Sequence, residues 1–312
     1  MLKDFFRKYG ISDDEFLVVA CSWWSDSMFL LSETIKSHPK DKIVIAHFNH
    51  NLRWEESDMD ELFVKKEANR LWTIFVSWNW DINTHSRENK LWIEESARLK
   101  RYEFLREIKH NYNARYILTA HHLDDSIETF IFNLLRWTKL NWLSWISEEN
   151  SDILRPLLDL TKDEILEKTQ KENICYVEDS SNKDDKYLRN HIRLNLVPQF
   201  QKINPNFKRN ISDLMEYFSS LSGFIEAEIS NHIEESYFEI DKFKALDPFL
   251  QKEIIAHIFK KTNDWTIWLN KWNIDEVLRF IDDKWNNTIK EIKNMRLNKK
   301  SGKILFSRIK AK

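Results

Sequence analysis

From Leu17 to Ser27 the chain reads LVVACSWWSDS: short apolar residues, then the polar cluster Ser22, Ser25, Asp26 and Ser27, before an apolar helical run restarts at Met28 to Leu31. A helix that begins behind small polar residues offers free backbone N–H groups and the positive end of its dipole, which favour a bound phosphate. Further along, HFNHNLR sets His47, Asn49, His50 and Arg53 around the apolar Phe48 and Leu52, as on a strand that emerges from a core into a site. In TAHHLDDSIET, Asp125 and Glu128 are three residues apart and share one face of a helix. Asp124 or Asp125 can also cap that helix and compensate its dipole, and for Asp124 the two readings stand level. Glu128 lies a full turn in, where capping no longer explains it. His121 and His122 either join Asp125 as metal ligands or, as neutral imidazoles, position a phosphate or a base.

Two further stretches supply cations. In WIEESARLKRY, Glu94, Arg98, Arg101 and Tyr102 recur at intervals of three and four. A solvated, ion-paired face accounts for Glu94, while Arg98 and Arg101 can instead reach phosphates or RNA. From Glu178 to Arg193 the chain mixes acids, amides and spaced cations, with Arg189 and Arg193 four apart on one helical face. Such a face is often only solvated, but Asn182, Tyr187 and Asn190 beside it are hydrogen-bonding and stacking groups of the kind RNA readers use.

Elements must hold these groups together. Apolar runs at Phe16–Ala20, Ile43–Phe48, Ile74–Ser77, Tyr116–Thr119 and Ile153–Leu154 read as strands. They alternate with helical patterns near Ser27–Lys36, Ser57–Leu71, Ile93–His110 and Asp124–Arg136. That alternation predicts an α/β fold, an open parallel sheet with flanking helices, whose ligands sit at the carboxyl ends of the strands. With 312 residues, two domains are expected, the first over 1–210 and a small, mainly helical one over 211–312. The second opens on an acidic helix without Lys or Arg from Ile211 to Asp241, and Phe249–Lys261 and Ile274–Ile281 read as further helices. Residues 284–312 carry ten Lys and Arg against the single acid Glu291, a basic tail able to neutralise phosphates with a salt-dependent affinity. The formal net charge is only −2, so any nucleic-acid surface is a local patch. A charged N-terminus without a signal-peptide core and the lack of any long apolar run predict a cytoplasmic protein with no membrane partner. Cys21 and Cys175 are too few for a disulfide framework or a Cys-ligated metal and read as small buried apolar side chains.

The first stretch resembles the S-G-G-x-D-S loop of the PP-loop, or N-type ATP pyrophosphatase, family at Ser22, Asp26 and Ser27. Taken with HFNHNLR, the Glu94–Tyr102 block, TAHHLDDSIET, Arg155–Leu158 and the stretch from Glu178 to Arg193, it is similar to the tRNA(Ile)-lysidine synthetase family from about residue 16 to the INPN of Ile203–Asn206. The resemblance implies a Rossmann-like PP-loop fold and ATP-dependent joining of free L-lysine to C2 of the wobble cytidine of a tRNA(Ile) with a CAU anticodon. An adenylated tRNA is the intermediate, and AMP and pyrophosphate are released. It implies ATP on Ser22, Trp23, Trp24, Ser25, Asp26 and Ser27, with magnesium near Asp26. It further implies lysine-binding or catalytic roles for Asp125, Glu128 and His50, and tRNA contacts from Arg98, Arg101, Arg189 and Arg193. The family often carries a further C-terminal domain, and the chain looks like a short form. Another PP-loop enzyme, a thiolase or a small-molecule amidating synthetase, would share the loop, although thiolation normally needs more cysteines. A tRNA-binding remnant without catalysis is the other alternative, and the sequence leaves a homodimer open.

Trp23 and Trp24 stand where the loop needs residues without a Cβ, because the backbone must approach the ligand and adopt positive φ. Glycine normally makes up about 7% of residues. This chain has 3 glycines and 14 tryptophans, and pooled they reach an ordinary glycine content. Trp54, Trp72, Trp92, Trp137, Trp142 and Trp145 also fall where loops and helix ends take glycine. The expectation is that the source organism reads as glycine a codon, most economically opal, that the standard code renders as Trp. An aromatic-rich core is the alternative, and it leaves the paired Trp in the loop unexplained.

Overall fold

The computed structural model describes residues 2–49, 70–71, 73–79, 93–135, 146–177, 188–263 and 269–309. It divides into two compact units, 1–216 and 217–312.

In the first unit α1 (Leu2–Lys8) leads to β1 (Leu17–Ala20), α2 (Ser25–Ser37), β2 (Ile43–Asn49) and β3 (Ile74–Asn79). Then come α3 (Ile93–Asn111), β4 (Tyr116–Leu118), α4 (Leu123–Leu135), β5 (Glu149–Asn150), β6 (Ile153–Leu154) and α5 (Lys162–Lys171). The sheet runs β3-β2-β1-β4-β6-β5, parallel except for the β5–β6 pair. Each predicted strand is present to within two residues, because each is a short apolar run bounded by polar residues.

Successive residues of β1 face opposite sides of the sheet. Leu17 and Val19 join a core with residues of α1, α2 and α5, among them Phe6, Phe29, Leu31 and Ile165. Val18 packs on the other side with Phe104, Leu105 and Ile108 of α3. Both faces are therefore buried, as an all-parallel central sheet requires. The chain leaves β1 toward β2 on one side and returns to β4 on the other, so a crevice opens at the carboxyl ends of β1 and β4.

After α5, α6 (Leu188–His191) runs through a π-helical turn (Ile192–Leu196) into α7 (Val197–Ile203) and α8 (Phe207–His232). The second unit holds the later part of α8, then β7 (Tyr237–Glu239), α9 (Ile240–Lys244), α10 (Pro248–Thr262) and α11 (Lys271–Asp282). It closes with β8 (Thr288–Ile292), β9 (Met295–Lys300) and β10 (Lys303–Arg308) in an antiparallel sheet ordered β7-β10-β9-β8. Most of the segment read from sequence as a basic tail is thus folded. Met295, Leu297 and Lys299 point inward from β9, and the inward lysine hides the apolar alternation. Its ammonium donates to the Ile281 carbonyl at 2.9 Å, at the end of α11, where helix carbonyls lack partners. Of the two cysteines expected to be buried, Cys21 is, beside the apolar residues of α2, whereas Cys175 is exposed past the end of α5. Among the described residues no helix is long and apolar enough to cross a membrane.

Candidate active site

The chain crosses the carboxyl end of β1 through Cys21 to Trp24 before α2 starts at Ser25. Ser27 ties this turn together: its Oγ donates to the Trp24 carbonyl at 3.1 Å and accepts from the Ser22 N–H at 3.1 Å. Trp24 occupies the N-cap of α2 and makes no side-chain cap, since an indole has no acceptor to offer. A helix start left without a side-chain cap is suited to an anion. Trp23 has φ 70°, in the left-handed region. Its side chain is 1% exposed, with the indole 5.4 Å from the His47 ring. The other left-handed non-glycine residues described are Asn113, Ser151, Asn173, Asn287, Lys293 and Ser301, so the indole is the bulky outlier.

Behind the turn, carboxylates and cations interleave. Lys162, the first residue of α5, places its ammonium 2.6 Å from Asp26 Oδ1 and 2.8 Å from Ser25 Oγ. His122 Nε2 lies 3.6 Å from both Asp26 Oδ2 and Asp125 Oδ2. Asp124 accepts from the Lys162 N–H at 2.8 Å and pairs with Lys208 of α8 at 2.6 Å. Arg193 grips Glu128 through Nε at 2.5 Å and Nη2 at 3.1 Å, with Asp125 3.5 Å away. His122 Nδ1 and Ser126 Oγ are buried with no hydrogen-bond partner among the described residues, as groups awaiting a ligand would be.

These neighbours set the protonation states. Burial pushes the Asp26 carboxyl up, but the neighbouring His122 imidazole and Lys162 ammonium outweigh it and hold the group below its ordinary value. For His122, burial works downward and the neighbouring Asp26, Asp125 and Asp124 carboxylates prevail, leaving its pKa raised. Burial pushes Glu128 up, against the pull of Arg193. A cationic ligand would be drawn to Asp125 and Glu128, and an anionic one to Lys162, Lys208 and the helix start.

The profile of the PP-loop domain matches residues 1–200. A tRNA(Ile)-lysidine synthase of Petrotoga mobilis is 32% identical over 304 residues, which cover 96% of this chain and 95% of the relative. The chain belongs to the tRNA(Ile)-lysidine synthase family. The Bacteroides thetaiotaomicron synthase is 36% identical over 209 residues, 67% of this chain, and there the match spans about half, 49%, of the relative. Among solved structures, the U34-tRNA thiolase NcsA from Methanococcus maripaludis with its [4Fe-4S] cluster is similar at TM-score 0.54 and 16% identity, over 72% of this chain and 74% of that one. That likeness speaks for the fold.

In this member of the lysidine synthase family, residues Ser22 to Ser27 lie together at the end of β1, and Asp125 and Glu128 lie together on α4. His50, Arg53, Asn182, Tyr187 and the Glu94 side chain lie outside the described residues. The guanidinium carbons of Arg98 and Arg101 are 5.6 and 5.3 Å from the Tyr102 ring centre. Arg189 stacks 5.7 Å from the Phe132 ring. Phe132 and Glu128 are one turn apart, so the shared face of Arg189 and Arg193 packs along α4. Sequence reasoning missed Lys162 and Lys208. Both are cations in the first turn of a helix, against the macrodipole, and that misplacement was the available signal.

Proposed function

We propose that this chain joins free L-lysine to C2 of the cytidine at wobble position 34 of a tRNA(Ile) with a CAU anticodon. The C2 oxygen is a poor leaving group. In the first step it attacks the α-phosphorus of ATP and pyrophosphate departs; in the second the lysine side-chain ammonium gives up a proton to water, the resulting amine adds at C2 and loses a second proton, and AMP departs with the former C2 oxygen. The observation that carries this reading is the convergence on His122 of the start of α2, through Asp26, and of the acidic face of α4, through Asp125. The N–H groups and hydroxyls of Ser22 to Ser27 receive the ATP phosphates, with Lys162 beside them. Asp125 and Glu128 receive the lysine ammonium, with His50 assigned beside them. Arg189 faces the RNA.

Asp26 is one hard oxygen donor, and magnesium commonly needs only one or two carboxylates besides substrate phosphates, so the residues present fit the ion that accompanies ATP. When bound it would neutralise phosphate charge. For phosphates to approach, positions 23 and 24 must carry almost no side chain. The polypeptide made in the cell therefore has glycine at both.

The test is pyrophosphate release and labelled-lysine incorporation, using the full chain with Trp23→Gly and Trp24→Gly. Tritiated lysine is expected to enter tRNA(Ile) with stoichiometric pyrophosphate release. Asp125→Asn should cut incorporation by about 100-fold or more, the loss of a charge-assisted contact, with tRNA binding intact. Binding of tRNA with no ATP consumption would refute the ligase reading, and loss of tRNA binding in Asp125→Asn would refute the role of that residue.

A further inference from the structure

Lys162, at the start of α5, is held by its backbone to one helix and by its side chain to another. Its N–H donates to Asp124 of α4 at 2.8 Å, and the Thr161–Glu164 capping box fixes the turn around it. Asp124 is pinned in its turn by Lys208 at 2.6 Å. The ammonium at the far end of the side chain reaches α2, 2.6 Å from Asp26 Oδ1 and 2.8 Å from Ser25 Oγ.

Asp26 is the hard oxygen donor that suits the ion accompanying ATP, and both of its oxygens already face cations. Lys162 takes Oδ1, and His122 Nε2 lies 3.6 Å from Oδ2. The Lys162 side chain is 34% exposed and that of His122 only 6%, so the lysine is the one that can withdraw without opening the core. Its flexible four-carbon stem lets the ammonium swing while Asp124 keeps the backbone in place.

Charge decides when it withdraws. The carboxylates of Asp26, Asp124, Asp125 and Glu128 are matched by Lys162, Lys208, His122 and Arg193, so the cluster is neutralised by its own side chains. A divalent cation arriving alone would add positive charge to that balance and push the Lys162 ammonium into water. A divalent cation arriving with a triphosphate brings more negative charge than positive, and phosphate oxygens can accept the ammonium that Asp26 gives up.

We propose that Lys162 is a resident counter-ion that keeps free metal off Asp26 and yields that carboxylate only when phosphate arrives to receive its ammonium. Asp26 is thereby opened to magnesium together with the nucleotide and not ahead of it. One ion pair replaces another, and no covalent bond changes. The proposal rests on the reading of Ser22 to Ser27 as an ATP loop and needs neither lysine nor tRNA.

The experiment measures manganese(II) retained with the protein on ultrafiltration, with and without a non-cleavable α,β-methylene analogue of ATP. The parent is the full chain with Trp23→Gly and Trp24→Gly. Without the analogue, Lys162→Gln should bind manganese about 10- to 100-fold more tightly than the parent, one repelling charge having been removed beside the donor. Adding Asp26→Asn should abolish that gain. Lys162→Arg, which keeps the charge, and Lys171→Gln, at the exposed far end of α5, should bind it as weakly as the parent does. The analogue should raise manganese affinity far more in the parent than in Lys162→Gln. Unchanged or weaker binding of manganese alone in Lys162→Gln, or an equal gain in Lys171→Gln, would overturn the proposal. Manganese binding by the parent as tight without the analogue as with it would overturn it whether or not the variants fold. A parent that never binds the analogue would remove the ATP-loop reading and this proposal with it. A parent that behaves as expected here yet incorporates no lysine would refute the ligase reading alone.

Discussion

An indole at position 23 asks the backbone for the conformation a bulky side chain tolerates worst. Left-handed geometry costs an L-residue about 1–2 kcal/mol, and here φ is 70°. Trp24 differs: its φ is −70°, so the backbone makes no demand there, and only the room a phosphate needs argues against a side chain. Composition supports the same substitution, with 14 tryptophans against 3 glycines. Trp272 and Trp285 are 62% and 72% exposed, which an aromatic-core explanation does not predict. Trp78 is partly buried and packs 6.1 Å from Phe48 and 5.5 Å from Phe104, so packing alone does not sort the tryptophans, Trp23 being more buried still. Peptide mass spectrometry of protein from the source organism is expected to find glycine at 23 and 24. In recombinant protein, Trp23→Gly should exceed Trp23→Ala in urea stability by about 1–2 kcal/mol, because alanine keeps the Cβ that the left-handed region rejects. Native peptides bearing tryptophan at 23 in a protein that consumes ATP would overturn the decoding argument.

The first turn of α4 shows what a sequence can and cannot display about an element. Its carboxylates were legible because i and i+3 residues share a face, and the strands that carry the site were legible as bounded apolar runs. The cations that answer those carboxylates were not. Lys162 and Lys208 arrive from the starts of α5 and α8, and Arg193 from the π-helical turn, at sequence separations that hide which carboxylate each one meets, even where a cation in a first turn is itself visible. Lys162 is held there by a capping box in which Thr161 and Glu164 satisfy one another's N–H groups. The balance has a pH signature. A histidine whose pKa rises on folding contributes stability that is complete below the unfolded value of 6.5 and disappears as pH climbs through the folded value. Asp26, whose pKa falls on folding, loses its contribution only in acid, below 3.8, and so does not interfere. His121 and His257, whose pKa values fall on folding, gain stability as pH rises through 6.5 and mask the effect there. Urea midpoints should accordingly decline only from about pH 7.5 to about pH 8.5, and His122→Gln should flatten that decline. An unchanged slope in the variant would show that another group supplies it.

At the scale of the whole molecule, charge is distributed unevenly although the formal net is −2. The excess of cations in the last strands was legible, but their availability was not, because folding decides which ones face solvent. Lys290 pairs with Glu276, Arg296 pairs with Glu291 at 2.6 Å, and Lys299 is buried against the end of α11. Lys284 and Lys300 remain exposed, with no ion pair among the described residues. An exposed lysine that contacts a nucleic-acid phosphate releases a counterion, so its loss lowers affinity in a salt-dependent way, whereas a lysine that merely solubilises the surface leaves the slope alone. Lys284→Gln with Lys300→Gln is therefore expected to weaken tRNA binding and to reduce the slope of log affinity against log salt by about 1.4 to 1.8, two contacts' worth. Both positions are solvent-facing, so the folded state should be preserved and lysine binding unaffected. Filter binding across a potassium chloride series measures the slope, and an unaltered slope would place the phosphate contacts outside these strands.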